Sequence, residues 1–203
     1  MKVLVFARAP IPGKAKTRLE PRLGAWGAAR LQARLTQQAV RTALAARCGA
    51  VELHGTRRHA LLVQYQKSGV CFRLQHGKDL GERMHHALRQ ARCAILIGTD
   101  CPGLRAQDLR RAARLLQGGA HAVIAPARDG GYVLIGARRV SAELFAGIEW
   151  GGERVYADTV QRLRRLGYRW RALREMRDVD RPADLAELRW LRSGAGAPRS
   201  ARR

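Results

Sequence analysis

The sequence predicts an α/β fold in which a mostly parallel sheet is covered by helices, and three observations carry that prediction. Strand-like and helix-like segments alternate along most of the 203 residues, the pattern of successive βα units. Some apolar runs, residues 94–97 above all, are short, continuous and closed by glycine, as in strands buried on both faces. A chain of this length can close one sizeable core, and 46% hydrophobic with 27% charged residues excludes global disorder.

Each element follows from its pattern. Residues 3–7 form a first strand, and a Pro/Gly/Lys loop covers 10–18. Apolar positions at helical spacing (Leu31, Leu35, Ala39, Val40, Leu44) predict a helix over about 27–47, stopped by Gly49. Residues 51–54 make a short strand, about 59–66 a helix and 70–74 a further strand. A helix over 80–92 places Leu80, Met84, Ala87, Leu88 and Ala91 on one face. The strand 94–97 leads to a helix over 106–117, ended by Gly118–Gly119. Strands at 122–125 and 132–135, a helix at 153–166, a strand at 168–173 and a closing helix at 182–191 complete the domain, taken as residues 1–192. Residues 193–203 (SGAGAPRSARR) offer no apolar face and read as a disordered basic tail.

In open α/β sheets ligands bind outside the carboxyl ends of the strands, so the loops after strands are where chemistry is sought. The loop after the first strand carries Arg8, Gly13, Lys14, Lys16 and Arg18. Gly13 lets the backbone approach a ligand, and the cations neutralise an anion held by the turn's amides. It is not a Walker A loop, and a solvated basic loop is the alternative. Gly98–Thr99–Asp100–Cys101–Pro102 follows the most apolar strand; Asp100 there suits a divalent cation or the cap of the next helix. Asp129–Gly130–Gly131–Tyr132 reads as a hairpin turn or as part of a site. Asp178 and Asp180, at i and i+2, share one side of an extended segment, and Asp180 also suits a helix cap. Asp79 caps the helix after Gly77–Lys78, with Glu82 and Arg83 turned toward the same cleft; His85 and His86 read as surface or packing residues.

Composition narrows the partners. The formal charge is +23, yet only five of the 39 basic residues are lysines, and the arginines are spread over nearly every segment. With 5% aromatics there is little for bases to stack on, so specific nucleic-acid binding is not expected and anionic small substrates are. Cys48, Cys71, Cys93 and Cys101 show no C-x-x-C spacing, so reduced thiols are expected. No apolar run approaches the ~18–20 residues that span a bilayer, and the N-terminal run is too short for a signal peptide, which points to the cytoplasm.

Taken in order, FARAPIPGKAKTRL (6–19), GKDLGERM (77–84), IGTDCPGL (97–104), PARDGGYVLIG (126–136), IEW (148–150) and DVDRPADL (178–185) resemble a family of bacterial GT-A-fold transferases described as glycosyltransferases of arsenosugar biosynthesis or of radical-SAM and selenodomain gene neighbourhoods. The resemblance spans residues 2 to about 191. It implies a single-domain, Rossmann-like three-layer α/β/α sandwich of the nucleotide-diphospho-sugar transferase (GT-A) type. It further implies that Lys14, Lys16 and Arg18 form the nucleotide loop, that Asp100 holds Mg²⁺ or Mn²⁺ helped by Asp178 or Asp180, and that Asp129 and Tyr132 face the acceptor, Asp129 as general base. Donor and acceptor would be a nucleotide-sugar and a small molecule. Thr99–Asp100–Cys101 replaces the D-x-D of typical metal-dependent glycosyltransferases, so an NTP donor and nucleotidyl transfer is the alternative, and a basic nucleotide- or RNA-binding module the non-enzymatic one.

Overall fold

A computed structural model describes residues 1–188 of the chain. The expected tail at 193–203 and the end of the closing helix lie outside the described residues. Seven strands, β1 (Lys2–Ala7), β2 (Ala50–Gly55), β3 (Cys71–Leu74), β4 (Ala94–Ile97), β5 (Ala122–Pro126), β6 (Tyr132–Ala137) and β7 (Trp170–Ala172), form one sheet in the order β3-β2-β1-β4-β6-β5-β7. All neighbours are parallel except β6, which is antiparallel to both β4 and β5. The five residues between β5 and β6 are too few for a parallel crossover, which takes a dozen or more, so the chain turns back on itself.

The helices are α1 (Glu20–Ala46), α2 (Ala60–Val63), α3 (Leu80–Leu88), α4 (Ala106–Gln117) and α5 (Val155–Arg165). Strand alternation sends Val3, Val5, Leu53, Ile95 and Ile97 to one face, against Val40 and Ala43 of α1 and Leu109 and Leu116 of α4. Leu4, Phe6, Leu96, Ile124 and Ile135 face the other way, onto Met84 and Leu88 of α3 and Leu163 of α5. Helices therefore lie on both faces of the sheet, the three-layer arrangement.

Departures from the expected elements have local causes. Turns of α1 begin at Glu20, ahead of the expected start, but Gly24 (φ 65°) breaks them, so the regular helix does begin near residue 27. The helix expected over 59–66 closes after one α-turn into a 3₁₀ segment, Gln64–Ser68. The described part of the closing helix, Pro182–Glu187, is likewise 3₁₀. Its cap is not Asp180. Asp184 reaches back to the Arg181 amide at 2.7 Å and to the Asp180 amide at 3.1 Å, which frees the Asp180 carboxylate for other work.

Candidate functional site

The connection after β1 runs toward β2 and β3, while that after β4 runs toward the opposite edge of the sheet, so the crevice between β1 and β4 is a topological switch point. A cleft of about 630 Å³ opens there, lined by the loops after β1 and β4, the start of β6, one face of α3 and the segment after β7. That last segment is fixed at several points. The Met176 amide donates to Pro126 O at 2.9 Å, and the Val179 amide to Asp100 O at 2.8 Å. The Val179 side chain packs with Leu19, Leu31, Leu35 and Leu188 in a small core of its own. With Val179 turned inward, Asp178 and Asp180 both line the cleft, as their i, i+2 spacing requires.

The basic loop is arranged differently from its sequence expectation. Lys16, in left-handed backbone at φ 54°, is buried rather than free for a phosphate. Its ammonium lies 2.9 Å from Asp100 Oδ2 and 3.7 Å from Asp180 Oδ1 and donates to Val179 O. Burying an ammonium is costly without such partners, and here carboxylates on two sides compensate it. Arg18 Nη1 pairs with Asp180 Oδ2. Gly13 and Lys14 are exposed, outside the residues that line the cleft. Arg8 does line it and, among the described residues, carries no ion pair.

Asp100 does not cap α4. The carboxylate of Asp108 takes the Arg105 amide at 2.9 Å, leaving Asp100 half-exposed in the cleft. A relay orients it: Gln32 Nε2 on α1 donates to Thr99 Oγ1 at 3.0 Å, and that hydroxyl donates to Asp100 Oδ1 at 3.1 Å. Gln32 was missed in the sequence, where its one signal is a polar side chain at an inward position between Leu31 and Leu35.

Asp129 and Asp178 complete the acidic side. Asp129 Oδ1 accepts the Gly131 amide at 2.9 Å, an Asx-type turn that holds the carboxylate in place. Burial, then the charges of Asp129, Asp100 and Asp180, push Asp178 up to about 6. Gly130 is required by the backbone: at φ 88° a Cβ would stand 1.9 Å from Glu153 O. Tyr132 also differs from expectation. Its hydroxyl turns inward, toward Thr159 and 3.8 Å from Met84 Sδ, and burial raises its pKa, so the ring rather than the hydroxyl is its contribution to the cleft.

Among the described residues, no three His, Cys, Asp or Glu side chains converge closely enough to hold a metal by themselves. The donor set does fit a magnesium- or manganese-type ion held by one or two carboxylates and completed by phosphate and water. Asp100 is oriented and half-exposed, and Asp178 is raised first by burial and then by neighbouring carboxylates whose charge a cation would relieve.

The family described as "uncharacterized protein conserved in bacteria (DUF2064)" matches residues 30–152, more than half of the chain. No curated protein matches. Among solved structures, the chain is similar to a protein from Desulfovibrio desulfuricans G20 provisionally described as a nucleotide-diphospho-sugar transferase. The two share 34% identity and a TM-score of 0.84, over 98% of this chain and 90% of that one. A nucleotidyl transferase from Methanothermobacter shares the fold at a TM-score of 0.61 and 16% identity, over 96% and 99% of the two chains. So does a CMP:2-keto-3-deoxy-manno-octonic acid synthetase complexed with CTP, at 0.57 and 13%, over 94% and 97%.

Proposed function

The chain belongs to that bacterial family, and from this premise we propose that it transfers a group from a nucleotide-activated donor, with an NDP-sugar as donor and a small molecule as acceptor. The observation that carries the reading is the division of one cleft between two kinds of group. Arg8, the Lys16–Asp100 pair and the Arg18–Asp180 pair line its β1/β4 side, and Asp129 and Asp178 stand close enough to each other to interact.

On this reading the diphosphate lies over the end of β1, where Arg8 supplies unpaired positive charge. Asp100, with Asp178 or Asp180, would hold Mg²⁺ or Mn²⁺, which supplies Lewis-acid stabilisation of a leaving diphosphate. Gln32 and Thr99 keep Asp100 in one orientation, and Lys16 ties it to the segment after β7. An acceptor hydroxyl is a poor nucleophile and needs a positioned base. Asp129 is the proposed base: the Gly131 amide holds its carboxylate, and it lines the cleft where an acceptor would lie.

Nucleotidyl transfer is the second reading. It is favoured by the β4 loop, where Asp100 is followed by Cys101 and Pro102 instead of a second carboxylate.

Product analysis separates the two. Incubation with NDP-sugars and with NTPs, each with Mg²⁺ or Mn²⁺ and candidate acceptors, should release NDP and a glycosylated acceptor. Stoichiometric pyrophosphate without sugar transfer would instead establish the second reading. Asp100→Asn, close to isosteric, should abolish the metal-dependent part of nucleotide affinity in calorimetry. Asp129→Asn should lower kcat by about 10²–10⁴-fold at unchanged donor affinity for a hydroxyl acceptor. Metal-dependent affinity that survives in Asp100→Asn would remove Asp100 from the site.

A further inference from the structure

Arg83 has no role in the donor reading, yet it lines the cleft. Leu80, Arg83 and Met84 stand at i, i+3 and i+4 on α3, so they share one face, and all three line the cleft. Arg83 Nε donates to Gly77 O at 3.0 Å, which fixes the direction of the guanidinium and leaves its two Nη groups available. Its acidic neighbour Glu82 is engaged elsewhere, on the Lys78 amide at 2.8 Å. Among the described residues no carboxylate forms a salt bridge with Arg83, whereas Lys16 and Arg18 are both paired.

The cleft that Arg83 lines also presents apolar groups. Leu80 is 42% exposed, Met84 meets the Tyr132 hydroxyl, and Trp150 sets its ring edge-on to Tyr132 at 6.5 Å between centroids. Trp150 is itself held against α3 at Gly81. A cation fixed by a backbone carbonyl, in a cleft that Leu80, Met84, Tyr132 and Trp150 also line, matches one class of ligand: a small molecule with an apolar or planar body and one anionic group. The guanidinium fork suits a carboxylate or a phosphate equally.

We infer that this face of α3, with Arg83 as its anion-binding residue, is a binding site for a small apolar anion. Its assignment as the acceptor subsite rests on the transferase reading above.

The test is calorimetry on the full chain, with phenyl phosphate and phenylacetate as probes and benzyl alcohol and inorganic phosphate as controls. At least one probe should bind more tightly than either control, and the tighter of the two names the anion. Arg83→Gln should weaken that probe at least tenfold, with partial recovery in Arg83→Lys, which keeps the charge and loses the fork. Leu80→Asp, at an exposed position where folding is not at stake, should weaken it as well by repelling the anion. UDP and CTP with Mg²⁺ should bind Arg83→Gln as they bind the unaltered protein. Probe affinity unchanged in Arg83→Gln, or inorganic phosphate binding as tightly as phenyl phosphate, would overturn the site. An equal loss of probe and nucleotide would overturn it too, by making Arg83 a donor ligand. If neither UDP nor CTP binds the unaltered protein while the Arg83-dependent probe does, the donor reading falls and the anion site stands.

Discussion

Lys16 shows how far a residue's meaning depends on partners distant in the chain. Three cations within five residues announce an anion site, but the carbonyl that fixes Lys16 belongs to Val179, 163 residues away, and no local pattern reveals that. The same ammonium joins Asp100 and Asp180, so it organises the carboxylates as well as adding charge near them. Both carboxylates are about 40% exposed, and water screens part of the pairing. Lys16→Met is therefore expected to cost less than the loss of a fully buried pair, about 1–3 kcal/mol in denaturant unfolding, because it strips the cation from two carboxylates and leaves Val179 O unpaired. Lys14→Ala, at an exposed position, should stay within about 0.5 kcal/mol. Equal stability of the two variants would show that the Lys16 pairing contributes nothing.

At the scale of elements, most of the fold was legible because the signals are local. Gly118 and the apolar face of α4 give its limits, the run 94–97 gives β4, and Asp79 caps α3 by accepting the Glu82 amide at 2.8 Å. Less legible was everything decided by approach between elements. Asp180 read as a cap, but Asp184 does the capping, and the segment is placed by Val179 in a core it shares with α1. Gly81 carried no signal at all, being one more small residue in a helical pattern. In the fold, a Cβ there would stand 2.7 Å from Trp150 Cζ2 and 2.9 Å from its Nε1, a nitrogen that is buried without a hydrogen-bond partner among the described residues. Among the described residues, packing therefore holds the indole. Gly81→Ala should force Trp150 off α3 and cost about 1–3 kcal/mol, although alanine is the better helix former. Near-UV circular dichroism should report the altered indole. An unchanged spectrum with raised stability would mean that Trp150 is not held by this contact.

Over the whole molecule, the alternation of elements was enough to read an α/β sheet, and the antiparallel β6 follows once the β5–β6 connection is counted. The cleft at the β1/β4 switch point was legible as a set of loops, while the crossing of the segment after β7, which brings in Asp178 and Asp180, depends on tertiary contacts. The same sheet buries a charged cluster outside the cleft, with a consequence for stability. Glu52 on β2 is ringed by Lys2 at 2.7 Å, His54 Nε2 at 3.0 Å and Arg73 at 3.2 Å, and Phe6 stacks on the His54 ring. Burial, which outweighs the pull of Glu52, holds His54 below its ordinary pKa, so the imidazole is neutral in the fold. In the unfolded chain it takes a proton near pH 6.5. Below that pH the unfolded state binds more protons than the folded one, so the stability due to neutral His54 is full above about 6.5 and is lost as pH falls. Asp178 acts in the opposite sense, since its raised folded pKa makes the fold take up a proton near 6. His85, His86 and His121 are also held below the ordinary histidine value, by burial first, so the net slope of the unaltered protein mixes several groups, and a paired comparison isolates His54. His54→Gln keeps a donor for Glu52 and cannot titrate. The stability difference between the unaltered protein and this variant, from denaturant unfolding at pH 8, 7, 6 and 5 in metal-free buffer, should be constant above pH 7. It should then shift in favour of the variant as pH falls through 6. Ionic strength should hardly move this shift, because desolvation causes it and salt does not screen desolvation. A difference that stays flat from pH 8 to 5 would mean that His54 is as free to protonate in the fold as in the unfolded chain.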